Sequence, residues 1–220
     1  MRNHFKKFVY IIVFIGFSSA YAGSFEDYFK AVARDDANTV QSLLRRGFDP
    51  NTVNEKGLSG VFLAVRTPSP KVLNVLLAVP KIKVETRNEK DESPLMLAAL
   101  AGDLATCQKL IAKDADVNKT GWAPLHYAAT NGHVAVMQLL LDENAYIDAE
   151  SPNKTTPLMM AASYGSTEAV KLLLEAGADP TLKNEKNLSA LDFAQKASRP
   201  DAIELIGAAV RKRGVKQGTW

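Results

Sequence analysis

The 220-residue sequence predicts an all-α protein that repeats one helix–turn–helix segment about six times. Three observations predict it. GWAPLHYAATNGHVAVMQLLLDENAYID (121–148) and KTTPLMMAASYGSTEAVKLLLEAGADPT (154–181) share one frame, with Pro124 over Pro157, Ala128-Ala129 over Ala161-Ala162 and Gly132 over Gly165. The frame recurs along the chain, so that positions 60, 94, 124, 157 and 190 align at spacings of 34, 30, 33 and 33 residues. The copies also carry helix punctuation: a capping hydroxyl at four of five helix starts, a proline at the next position of the frame in three, and a glycine after the short Ala-rich run in three. Self-similarity at this period marks a stacked array of supersecondary segments.

In chain order, residues 1–22 read as an export signal. Arg2, Lys6 and Lys7 precede the apolar run FVYIIVFIGF (8–17), and AYA ends at Ala22. The run is too short to span a bilayer, which needs about 20 residues. An uncleaved membrane anchor is the rival reading. A degenerate repeat follows at 24–51, whose acidic and aromatic start (Phe25, Glu26, Asp27, Tyr28) suits a terminal cap. The repeats proper lie near 57–84, 91–118, 121–148, 154–181 and 187–211. The repeat domain spans 23–213, and 214–220 continues as a flexible basic tail.

Within a repeat, Ser59, Ser93, Ala123, Thr156 and Ser189 stand at the helix start, and four of the five offer a capping hydroxyl. Pro94, Pro124 and Pro157 suit the first helical turn, and Gly102, Gly132 and Gly165 are expected to end the helix in the left-handed conformation. The second helix carries an apolar stripe: Val72, Leu73, Leu76; Cys107, Leu110, Ile111; Val136, Leu139, Leu140; Val170, Leu172, Leu173. A pair of this size cannot bury its apolar face alone, whereas stacked pairs can.

The elements APLHYAATNGH, LLL and AYID in one repeat, and TPLMMAASYG, LLL and GADPT in the next, resemble ankyrin repeats over residues 24–211. The resemblance implies an ankyrin-repeat solenoid with short β-hairpin-like fingers between the helix pairs. It implies a binding scaffold used for unrelated partners, in which fingertips and first-helix ends line a concave face.

His126 and His133 raise the question of a metal or catalytic site. They flank a two-turn helix and stand near its opposite ends, roughly 10 Å apart at 1.5 Å per residue, and no Cys or Glu completes a ligand set. The resemblance implies that His126 hydrogen-bonds locally and ties neighbouring fingers, and His133 suits the carbonyls at a helix end. The lone Cys107 aligns with core positions and reads as a buried, inert thiol. None of the G-x-S-x-G, H-E-x-x-H, P-loop or dinucleotide fingerprints occurs. The expectation is no catalytic residue, no metal, no cofactor and no small-molecule substrate.

Charge excludes another class. Residues 1–22 hold three Lys/Arg and no Asp/Glu, so the remainder carries 24 basic against 24 acidic residues. Nucleic-acid binding, which needs a clustered basic excess, is not expected. The basic end with Arg211, Lys212, Arg213 and Lys216 reads as a frayed, solvated terminus.

The function expected is therefore an exported, monomeric protein–protein interaction module, periplasmic in a Gram-negative source and otherwise secreted. It would bind, regulate or protect a partner protein; a secreted effector and a membrane-tethered scaffold are the alternatives. Carried over from the resemblance, the partner-facing residues are Glu55, Lys56, Arg66, Glu89, Lys90, Glu92, Trp122, Thr130, Asn131, Tyr164, Glu185 and Lys186. Trp122 and Tyr164 rank first, because aromatics dominate binding hot spots. Thr130 and Asn131 are read as free to face a partner. The finger before Trp122 is three residues shorter than the last finger and Ala123 lacks a capping hydroxyl, so this joint is expected to be weak.

Overall fold

The computed structural model describes residues 23–217, with side chains as far as Arg213; the signal-type segment 1–22 lies outside the described residues. The chain divides into two blocks, Met1–Thr86 and Arg87–Trp220. In the first, helix α1 (residues 23–33) is followed by α2 (Ala37–Arg45), α3 (Gly60–Arg66) and α4 (Pro70–Leu77). Helix α4 packs on both α2 and α3. Tyr28, Val32, Val40, Phe62 and Leu76 are completely buried there. The Tyr28 hydroxyl donates to the Pro50 carbonyl at 3.1 Å. Gly60 stands in the column that holds proline in three other repeats, and a Cβ there would collide with the Tyr28 ring. The expected cap is thus an aromatic plug.

The second block holds α5 (Pro94–Ala101), α6 (Leu104–Ile111), α7 (Pro124–Asn131), α8 (Val134–Asp142), α9 (Pro157–Ser163), α10 (Thr167–Glu175), α11 (Ala190–Lys196) and α12 (Pro200–Gln217). First helices stack as α5–α7–α9–α11 and second helices as α6–α8–α10–α12. This is the ankyrin-type arrangement. The starts follow the punctuation: Ser93 Oγ accepts the Met96 N–H at 3.3 Å and Thr156 Oγ1 the Met159 N–H at 3.4 Å. Ala123 has no such bond, and the His126 N–H turns to the Ala123 carbonyl at 3.0 Å. No helix among the described residues is long and apolar enough to cross a membrane.

Three expectations need correction. Gly102 and Gly132 take positive φ (71° and 67°), but Gly165 does not. Helix α9 ends one residue earlier, on Tyr164, and a Cβ at Gly165 would strike the Ala129 carbonyl oxygen, so close approach explains that glycine. The buried stripe of the second helices is Thr106-Cys107-Leu110, Val136-Met137-Leu140 and Ala169-Val170-Leu173, leaving Ile111, Leu139 and Leu172 half-buried. The stripe is rotated because each second helix lies between its own first helix and the next second helix.

The end of the chain also differs. Helix α12 continues to Gln217 instead of fraying from 214, and Arg213 pairs with Asp179 at 2.9 Å. The joint beside the short finger, expected to be weak, lacks the capping bond at Ala123 but carries side-chain cross-links. Lys119 pairs with Asp91, Tyr127 donates to Glu92 Oε1 at 3.1 Å, and Asn118 Oδ1 accepts the Tyr146 N–H at 2.7 Å. Side-chain bonds take over there from the β-bridges that close other fingers, Val53 with Ser59 and Lys183 with Ser189.

Candidate functional site

Two side-chain columns build the scaffold under the site. In the first, the third helical residue reaches back to its own helix start. Met96 Sδ accepts the Ser93 N–H (3.3 Å), His126 Nδ1 the Ala123 N–H (3.1 Å) and Asp192 Oδ2 the Ser189 N–H (2.7 Å). Because Nδ1 accepts, the imidazole proton sits on Nε2, which donates to the Thr155 carbonyl at 2.9 Å in the next finger. Burial holds the His126 pKa below the ordinary imidazole value, against the opposing pull of its backbone bonds.

In the second column, the residue at the turn between helices staples the preceding repeat. Ser69 Oγ donates to the Val32 carbonyl (2.9 Å), and Arg199 Nη1 to the Ala161 carbonyl (2.8 Å). His133 Nε2 meets the Leu100 carbonyl at 3.0 Å as donor. Both histidines are therefore structural. Cys107 is completely buried, and desolvation, then Asp103, pushes its thiol up to about 12. Among the described residues no group of three His, Cys, Asp or Glu is placed to hold a metal ion.

Over this scaffold lies a groove of about 630 Å³, set between three fingertips and the first helices α9 and α11. Trp122, Tyr164 and Lys186, each expected from sequence, line it together. Trp122 enters edge-on to His126, with ring centroids 5.2 Å apart and planes at 73°. Tyr164 is 67% exposed although it is a large aromatic. Ser163, Leu188 and Lys196, also fingertip or helix-end positions, complete the walls.

Met160 and Phe193 were missed. They share a column with Leu63, Leu97 and Tyr127, all half-buried, one helical turn before the helix-end positions. The signal was legible: a residue three or four places earlier shares a helix face. The groove walls are tied, because the Glu185 N–H donates to the Asn153 carbonyl at 3.1 Å and Asn184 Oδ1 accepts the Lys186 and Leu188 N–H groups at 3.0 and 3.1 Å.

The other expected residues lie elsewhere. Glu55 and Lys56 border a separate groove with Phe25, Glu26, Phe29 and Lys30. Arg66, Glu89, Lys90 and Glu185 are exposed but line neither groove. Glu92 is occupied: it accepts from Tyr127 and, at 2.7 Å, from Asn88 Nδ2. Thr130 and Asn131 line neither groove, and their polar groups are engaged. Thr130 Oγ1 donates to the His126 carbonyl and Asn131 Nδ2 to the Leu100 carbonyl, both at 2.8 Å. Their polar groups serve helix ends, which leave carbonyls unpaired.

Known proteins fit this geometry. The family described as Ankyrin repeats (3 copies) matches residues 29–120, 62–151, 95–184 and 145–212. The Nuclear factor NF-kappa-B p105 subunit of Gallus gallus is 33% identical over 161 residues, 70% of this chain but 16% of that protein. The Transient receptor potential cation channel subfamily A member 1 of Homo sapiens is 31% identical over 70% of this chain and 15% of its own length. The chain thus spans about a sixth of these relatives. A solved structure is similar over 83% of this chain and 97% of its own, with TM-score 0.73 and 25% identity. It is the complex of a predatory endopeptidase from Bdellovibrio bacteriovorus with its immunity protein, and the immunity protein is the similar chain.

Proposed function

The chain belongs to the ankyrin-repeat family, and from that premise we propose that it is an exported, non-catalytic protein that binds an endopeptidase and holds it in check. Ankyrin repeats are a protein–protein interaction scaffold, typically non-catalytic. The observation that carries the reading is the likeness to an immunity protein solved on its endopeptidase, which reaches 97% of that chain. The likeness to the p105 subunit and the channel covers only a short part of either, and supports the scaffold alone.

The binding face is the groove with Trp122, Tyr164 and Lys186. Large half-exposed aromatics over a rigid floor are what hot spots require. The basic–apolar–AYA start of the sequence supports export, where a free protease is a hazard to its maker. The protein acts as a monomer, one chain to one enzyme.

The test is capture from the exported fraction of the source organism on the immobilised chain, followed by peptidase assay. A one-to-one complex with an endopeptidase, whose activity falls on binding, is expected. Capture of a different class of protein, or a complex that leaves peptidase activity intact, overturns the reading. N-terminal sequencing of the exported form should begin near Gly23.

A further inference from the structure

We propose that the groove beside Tyr164 receives a partner segment in which a carboxylate side chain stands next to an aromatic or branched apolar one. The proposal rests on the reading of this groove as the binding face and adds its chemistry.

Charge complementarity carries it. None of the residues lining the groove is acidic, and two, Lys186 and Lys196, are basic and exposed. Neither lysine forms an ion pair within 4.0 Å among the described residues; Asp192, one turn before Lys196 on α11, feels its charge but spends its Oδ2 on the Ser189 N–H and hydroxyl. They are set on two different elements, a fingertip and the end of α11, with Phe193 on the same helix one turn before Lys196. Trp122 and Tyr164 stand on other elements lining the same groove. A ligand held in this groove thus meets both lysines and the aromatic side chains on one lining. Its volume, about 630 Å³, lies in the ordinary range of binding clefts, roughly 300–1,000 Å³.

The walls are held before any ligand arrives. Asn184 closes the fingertip that carries Lys186, and the adjacent fingertips are joined by the Glu185–Asn153 bond. Preorganisation of this kind lowers the ordering cost of association. A protein segment is favoured over nucleic acid because two lysines are too few to track a phosphate backbone, whose affinity grows with the number of phosphates neutralised.

The experiment pans a random-peptide library on the purified full chain, then measures the recovered peptides on two variants. Enrichment of Asp or Glu next to Phe, Tyr, Leu or Ile is expected. Lys186→Glu with Lys196→Glu should weaken those peptides at least roughly tenfold, and added salt should weaken them on the unchanged chain. Tyr164→Ala should cost roughly tenfold or more for any peptide held in the groove. All three positions are exposed, and an unchanged thermal midpoint shows that the variants fold.

Loss on Tyr164→Ala with full binding on the lysine reversal overturns the acidic chemistry and leaves the groove standing. Indifference to every variant, or no enriched peptide, overturns this proposal, while enzyme capture judges the function separately. Displacement of the peptides by a single-stranded oligonucleotide or by phosphatidylglycerol vesicles, abolished by the lysine reversal, also overturns it in favour of a phosphate ligand.

Discussion

Two grooves of the same volume, about 630 Å³ each, occur in the two blocks, and both are set between fingertips and first helices, one of each in the first block and three fingertips with two helices in the second. The one in the first block joins Phe25 and Phe29 to Glu26, Lys30, Glu55 and Lys56. Its charges neutralise one another: Glu26 and Lys30 pair at 2.7 Å, and that hydrogen bond holds the Glu26 carboxyl below the usual carboxylate range. The one in the second block sets Trp122, Tyr164 and Phe193 beside two lysines and no acid. The repeat supplies the position and size of a groove. The residues that the repeat leaves open decide whether it has anything left to offer a partner.

Four perturbations would break or sharpen this contrast. The largest effect should come from Tyr28→Ala. It empties a completely buried aromatic position under the first groove, a change that costs about 3–5 kcal/mol. Urea unfolding should show a lowered midpoint, while a loss under about 1 kcal/mol would mean that the cap is not an aromatic plug.

Next, Tyr164→Ala should weaken partner binding by about 2 kcal/mol, roughly 30-fold, with the unfolding midpoint unchanged. Glu55→Ala and Lys56→Ala should leave affinity where it was. Calorimetry with the captured enzyme compares the two, and equal losses would erase the distinction between the grooves.

A third effect lies under the second groove, in its floor. His126 is buried and neutral, its Nδ1 accepting a backbone N–H, and its pKa is lowered by desolvation. The unfolded chain therefore takes up the proton first as pH falls. The stabilisation is intact above about pH 6.5 and is lost below it, at up to about 1.4 kcal/mol per pH unit. His126→Met copies the Met96 and Met159 positions and should flatten that slope relative to the unchanged chain. Identical pH profiles would show that the histidine is not buried as neutral imidazole.

The smallest effect is expected from Glu26→Ala, which removes an exposed pair one helical turn apart. No measurable change in midpoint should follow, since such pairs are weakly coupled in water. A clear loss would mean that the first groove uses its charges after all.

Much of the groove was legible in the sequence. Trp122, Tyr164 and Lys186 follow from repeat register, because equivalent positions of stacked copies face the same way. Met160 and Phe193 could have been found in the same register, one turn earlier on the helix. The bonds of Thr130 and Asn131 were not legible, because register says which way a side chain points and not whether a carbonyl waits there. Asn131 meets the Leu100 carbonyl, 31 positions earlier in the chain.

By itself, then, the sequence determined the repeat, its period, its helix starts and the family, since caps, prolines and apolar spacing are local and recur. Only the tertiary structure decided which open positions stay open. It took Glu92 for Tyr127, placed Gly60 in the proline column to admit Tyr28, demanded glycine at 165 for a neighbouring carbonyl, and left Lys186 and Lys196 outside the ion pairs found among the described residues. The physical reason is that a polar group's fate depends on what lies within about 3 Å of it. In a stacked chain that neighbour comes from a different repeat.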